Sequence, residues 1–340
     1  MSGHERMIRD RDAARDAFVS LAGWGDARVT FLAGDASFRT YHRLWRGTRS
    51  VVLMDAPPEH EDIRPFVRVA RHLSGLGYSA PEVLAEDPAH GFLLLEDLGD
   101  ETYTRRLAAG ADEAALYTLA VDLLADLHRR PADMAAPPGL APPYDDALLL
   151  QEARLLTDWF MPAVLGEAPD DAALADYEAQ WRAVFPPARA VPDTLVLRDF
   201  HVDNLLHVPG RPGLAGCGLL DFQDAVVGPL TYDVVSLLED ARRDMNPDLV
   251  ATMRARYLSA VPGLDPEAFA ASWAVLAAQR HAKVIGIFTR LSRRDGKPLY
   301  LDHIPRVWRL FEAALDHPAL AGVRAWIDRY IPPERRTRPP

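Results

Sequence analysis

At 340 residues, 49% of them hydrophobic, the chain can bury a large core and would normally divide into two domains. Its formal net charge of −11 argues against nucleic acid as a main partner, and its single cysteine, Cys217, excludes an intramolecular disulfide framework and suits a reducing cytoplasm. The N-terminus is charged throughout and no apolar run approaches membrane-spanning length, so a cytoplasmic protein without a membrane partner is expected.

Residues 5–22 read as an amphipathic helix, followed by three short β-rich runs at 29–33, 38–44 and 51–54. Between the first two runs lie Gly34, Asp35, Ala36 and Ser37, small residues whose backbone N–H groups can approach phosphate oxygens, although a hairpin turn has the same composition. The spacing of Ile63, Phe66, Val67, Ala70, Leu73 and Leu76 predicts a helix, and Gly77 ends it. Residues 92–95 form an apolar strand running into Glu96-Asp97-Leu98-Gly99. Beyond residue 100 the pattern is mostly helical. A stripe of Leu116, Ala120, Leu123, Leu124 and Leu127 marks a helix over 113–129, and a Pro-rich loop covers 131–143. Further helices are expected near 146–160, 170–185, 231–242, 247–259, 265–291 and 303–316, with a frayed tail at 332–340.

The chemistry concentrates in Leu197-Arg198-Asp199-Phe200-His201-Val202-Asp203-Asn204 and, about one strand later, Leu219-Leu220-Asp221-Phe222. Each acid or amide alone could simply form a turn. The ordered trio with apolar strands around it fits phosphoryl transfer, which needs a base aimed at the acceptor hydroxyl and oxygen ligands holding Mg²⁺ on the phosphates. Asp199 fits the base; Asn204 and Asp221 fit the ligands.

These segments resemble the catalytic and metal loops of the aminoglycoside phosphotransferase and choline kinase family, whose first loop usually reads His-Gly-Asp-x-His-x-x-Asn. Asp199, His201 and Asn204 match, while Leu197 and Arg198 depart from it, so no role for the first His carries over. Residues 197–206, 219–240 and 279–301 are similar, more narrowly, to one branch, the anomeric N-acetylmuramate/N-acetylglucosamine kinases of bacterial cell-wall recycling. The resemblance implies an α+β, protein-kinase-like, two-lobed fold, with a β-rich N-lobe over 1–98 and a helical C-lobe over 99–331. It also implies ATP and Mg²⁺ as cofactors and a small-molecule acceptor. Glu96 and Leu98 would contact adenine through their backbone, and Gly34, Asp35, Ala36, Ser37 and Arg39 would lie on the phosphate side. His201, Asp203, Asp224, Arg280 and Lys283 are the candidate acceptor contacts.

One departure affects the mechanism. The third strand of such folds carries a lysine for the phosphates, paired with an acid in the next helix. Here it reads Val51-Val52-Leu53-Met54-Asp55, and residues 63–81 contain no acid. Either the chain is an inactive nucleotide-binding relative, or Arg39, Arg43 or Arg68 supplies the charge. On the acceptor side, Asp203, Asp224 and Asp240 would suit a polycation such as an aminoglycoside. The basic residues Arg280, Lys283, Arg290, Arg293, Arg294 and Lys297 instead suit an anionic group such as the lactyl carboxylate of N-acetylmuramate. Asp233 reads as a hydrogen-bonding carboxylate at a helix start, and Trp159 and Phe160 as core residues.

Overall fold

The computed structural model describes residues 3–34 and 38–340, the first eight by backbone alone. Helix α1 (Gly3–Leu21) precedes β1 (Arg28–Gly34), β2 (Thr40–Arg46), β3 (Arg49–Asp55), α2 (Arg64–Gly75), β4 (Val83–Asp87) and β5 (Phe92–Glu96). The strands make one antiparallel sheet in the order β1-β2-β3-β5-β4. β3 and β5 read as unbroken apolar runs because both of their faces are covered. Successive side chains point to opposite faces, so Val51, Leu53, Phe92 and Leu94 pack with Phe18, Val19 and Trp24, while Val52 and Leu95 line a cavity. Gly77, at φ 92°, ends the turn after α2 in the left-handed region open to glycine.

There follow α3 (Tyr103–Ala108), α4 (Glu113–Arg129), the single turn α5 (Ala132–Ala135) and α6 (Asp146–Ala153). A π turn (Leu156–Phe160) then leads into α7 (Met161–Leu165) and α8 (Asp171–Ala188). The expected helix over 146–160 is therefore broken. Strands β6 (Asp193–Val196), β7 (Leu205–His207), β8 (Cys217–Leu219) and β9 (Val226–Pro229) form two antiparallel pairs, β6 with β9 and β7 with β8. The chain ends in α9 (Thr231–Leu238), α10 (Pro247–Ala260), α11 (Pro266–Arg293), α12 (Ile304–Leu315) and α13 (Ala321–Tyr330). Asp112, Asp145, Asp170 and Asp265 cap α4, α6, α8 and α11 by accepting from first-turn N–H groups that would otherwise lack partners. No helix among the described residues is long and apolar enough to cross a membrane.

Two compact units result, Met1–Ala111 with Val202–Asp224, and Asp112–His201 with Ala225–Pro340. This differs from the boundary expected after residue 98, because β7 and β8 join the sheet-bearing unit. Leu219 N–H donates to Ser79 O at 2.9 Å, His207 N–H to Glu101 O at 2.8 Å, and Leu98, Leu206 and Val208 share an apolar cluster. Cys217 is fully buried there, and burial pushes its thiol up to about 12, which leaves it a packing residue.

The second unit is built around α11, which is buried on nearly all sides as a core helix must be. A Cβ at Gly286 would lie 2.2 Å from the Leu155 carbonyl, so only glycine lets α11 approach the chain just before the π turn. Phe160 packs on Trp308 at 5.3 Å, as expected of a core residue. Residues 332–340, expected to fray, are held. Arg336 is 9% exposed, donates to Ile331 O at 2.9 Å and pairs with Glu312 at 2.8 Å and Asp328 at 2.6 Å. A nearly buried guanidinium with two carboxylates and a carbonyl around it ties the tail down.

Candidate active site

In the sheet-bearing unit, Val52, Leu95, Leu98, Leu206 and Leu220 give a cavity of about 360 Å³ apolar walls suited to a flat aromatic base, and Gly34, Asn204 and Asp221 also line it. Glu96 N–H already donates to Glu82 O at 2.8 Å, so its carbonyl is the backbone group it can offer a ligand. The Glu96 carboxylate is bound by Arg211, whose Nη1 donates to Ser79 Oγ at 2.7 Å. Arg43, 7% exposed, is committed to the segment after β5. Its Nε lies 2.7 Å from Asp97 and its Nη1 2.6 Å from Asp100, whose carboxyl is held below its usual value by that guanidinium. Met54 is 1% exposed, so β3 presents an apolar side chain where a charge was sought.

The β7–β8 pairing brings the metal candidates together. Leu205 pairs with Leu219, Leu220 N–H donates to Asn204 O at 3.0 Å, and Asn204 Nδ2 reaches Asp221 Oδ2 at 3.3 Å. Asp221 Oδ1 accepts from Gln223 Nε2 at 2.8 Å and lies 3.4 Å from Arg39 Nη2. Asp221 sits at φ 58°, a left-handed conformation that costs a non-glycine residue roughly 1–2 kcal/mol and is typically retained at functional sites. Among the described residues no group of three or more His, Cys, Asp or Glu could hold a metal ion. Mg²⁺ does not need one: it keeps waters and binds one or two protein oxygens together with substrate phosphates, and this amide-carboxylate pair fits that requirement. Thr104 Oγ1 donates to Asp203, and exposed Asp224 is 3.3 Å from Gln223 Nε2.

Asp199, the candidate base, lies in the helical unit, on a loop held by side chains of that same unit. Buried Asp233 accepts from Leu197 N–H at 2.6 Å and Arg198 N–H at 2.9 Å; burial pushes its carboxyl up to about 7, against the pull of those bonds. Arg198, at φ 68°, sends its guanidinium to Glu152, which also meets Lys283 Nζ at 2.8 Å, Gln279 Nε2 at 3.0 Å and the Tyr144 hydroxyl. Burial would raise the Glu152 carboxyl, but Lys283 and Arg198 outweigh it and hold it at about 2. At half-buried Asp199 burial likewise pushes up, and Lys283 and Arg280 outweigh it, so the carboxylate is ionised at neutral pH. His201, 4% exposed, is lowered to about 4 by burial and then by Arg242, whose Nη1 lies 3.4 Å from Nε2, so the imidazole is neutral at pH 7. Arg280 is 4% exposed and lies over the Tyr232 ring at 5.9 Å; among the described residues its side chain makes no hydrogen bond or ion pair.

A model of the phosphotransferase enzyme family matches residues 28–271. The chain belongs to that family. The N-acetylmuramate/N-acetylglucosamine kinase of Caulobacter vibrioides is 41% identical over 360 aligned residues, covering 96% of this chain and 98% of that one. The Pseudomonas aeruginosa enzyme of the same name is 41% identical over 304 residues, 86% of each chain. A choline/ethanolamine kinase family protein from Mesorhizobium loti superposes with a TM-score of 0.59 at 15% identity, covering 94% of this chain and 99% of that one. The antiparallel sheet unit and the helical unit are thus those of a protein-kinase-like α+β phosphotransferase that uses a nucleotide donor.

Within this family member the candidate residues divide by unit. Gly34, Arg39, Glu96, Leu98, Asp203, Asn204, Asp221 and Asp224 belong to the sheet-bearing unit, and Asp199, His201, Arg280 and Lys283 to the helical one. Asp35, Ala36 and Ser37 lie outside the described residues. The basic run 280–297 is not one surface. Arg280 and Lys283 turn inward on α11, Lys283 to an acid already there, while Arg293 and Arg294 are exposed and Arg294 pairs with Asp295 at 2.7 Å. Sequence reasoning missed Glu152, Gln223 and the Asp97–Asp100 clamp. A signal for Glu152 existed: it falls on the same helical stripe as Leu149 and Leu156, and an acid on a buried stripe requires a cationic partner.

Proposed function

We propose that the protein transfers the γ-phosphoryl group of Mg·ATP to the anomeric 1-hydroxyl of N-acetylmuramate and N-acetylglucosamine, in the cytoplasm, as a step of peptidoglycan recycling. The observation that carries this reading is the ionised Asp199 on a loop clamped by Asp233 and by the Arg198–Glu152 pair. Asp199 accepts the hydrogen bond of the acceptor hydroxyl, aims the oxygen and takes its proton as the new P–O bond forms. Asn204 and Asp221 would hold Mg²⁺, which supplies charge neutralisation on the phosphates. Glu96 C=O and the Leu98 backbone would receive the adenine.

The surroundings of Asp199 favour an amino sugar with an acidic substituent over a polycation. Lys283, Arg280 and Arg198 are the permanent cations whose charge bears most on Asp199, and they would repel an aminoglycoside. The curated relatives point the same way by name. An inactive relative would have no use for an ionised base and an intact amide-carboxylate pair.

ADP release with Mg·ATP and each sugar tests the reading, with ³¹P NMR and a reducing-end assay on the product. The expected result is a sugar 1-phosphate that has lost its reducing end. No ADP release with either sugar, or a phosphorylated product that still reduces, refutes it.

A further inference from the structure

We propose that Arg39 is the residue that supplies positive charge to the nucleotide phosphates, bridging them to Asp221. The inference rests on the reading of Asp221 as a metal ligand. Of the four acids lining the cavity, Glu96, Asp97 and Asp100 are already paired with Arg211 and Arg43, so it is the charge of a triphosphate beside Asp221 that calls for a cation beyond Mg²⁺. The β3 position where the resemblance calls for a lysine offers none, since Met54 is apolar and buried there.

Four arginines of this unit could serve, and the structure separates them. Arg43 is held by Asp97 and Asp100. Arg68 is exposed on α2. Arg105 is exposed and donates to Asp100 O at 3.1 Å. Arg39 alone of the four is both buried, at 6% exposure, and within 4.0 Å of Asp221, with its Nη2 at 3.4 Å.

Arg39 also follows, after a few residues, Gly34 on the cavity wall. A guanidinium carries its donors in a planar fork, so it can hold a carboxylate and phosphate oxygens together, which a lysine ammonium does less well. Its burial removes competing water and strengthens the charge-assisted contact. Arg39 thereby does from the position just before β2 what Met54 on β3 leaves undone.

Calorimetry on Arg39→Gln and Arg39→Lys tests this, with adenosine, with ATP alone and with Mg·ATP. Arg39→Gln should weaken ATP and Mg·ATP binding by about ten- to a hundredfold and leave adenosine affinity and the KM for sugar unchanged. Arg39→Lys should recover part of the loss. Unchanged ATP affinity in Arg39→Gln, or an equal loss for adenosine and ATP, overturns the proposal, the second outcome making Arg39 a structural partner only. Asp221→Asn runs beside them: if ATP binding in that variant still strengthens with Mg²⁺ as in the wild type, it is the metal reading that fails, whatever Arg39 does.

Discussion

Glu152→Gln removes one negative charge from a buried site where Arg198 and Lys283 both depend on it. A carboxyl held at about 2 against an ordinary 4.5 is stabilised by about 3 kcal/mol. Breaking a buried ion pair from one side commonly costs about 3–5 kcal/mol, because the remaining cations stay desolvated. Glu152 and Lys283 are only 5% and 6% exposed, so solvent can do little to relieve them. We expect the variant to melt several degrees lower at neutral pH. Because the folded-state value lies below the unfolded one, the contribution is complete above pH 4.5 and disappears as pH falls toward 2. The gap between wild type and variant should therefore narrow as pH drops below 4.5. Turnover should fall as well, since Arg198 immediately precedes Asp199 and its guanidinium would lose its anchor. Thermal unfolding between pH 3 and pH 7 measures this, and a variant as stable as the wild type at pH 7, or a gap independent of pH, refutes the reasoning.

Asp199→Asn should reduce kcat by roughly a hundredfold or more while nucleotide affinity stays nearly constant, and a variant keeping most of its activity removes Asp199 from the role of base. Asp221→Ala should weaken Mg·ATP binding but leave ATP without Mg²⁺ little affected, and calorimetry showing equal Mg·ATP affinity would exclude a metal role for the β8 loop. Arg280→Gln should raise the KM for N-acetylmuramate by about tenfold or more and that for N-acetylglucosamine much less, since only the first carries a carboxylate. Equal effects on the two sugars would show that Arg280 serves the common reaction centre.

Much of this protein is decided by local sequence. The stripe and Asp112 cap set α4 at Glu113–Arg129, the length and apolarity of 265–291 announce α11, and the apolar runs of β3 and β5 declare strands covered on both faces. Periodicity and capping act within one or two turns, so they can be read without the fold. Asp199, Asn204 and Asp221 were legible as candidates for the same reason: all three fall in one loop and one strand end, with Asn204 reaching Asp221. What tertiary structure decided are the partnerships across sequence distance. Three arginines were equivalent on paper, and only packing sent Arg43 to Asp97 and Asp100 and Arg39 to Asp221. The basic segment looked like one surface until helical geometry turned Lys283 onto Glu152 and left Arg293 and Arg294 in solvent. The break in the helix at 156–160, the ordered tail around Arg336 and the transfer of 202–224 to the sheet-bearing unit follow the same rule. A buried charge or backbone group must find a partner wherever the fold brings one, and no local pattern says where that is.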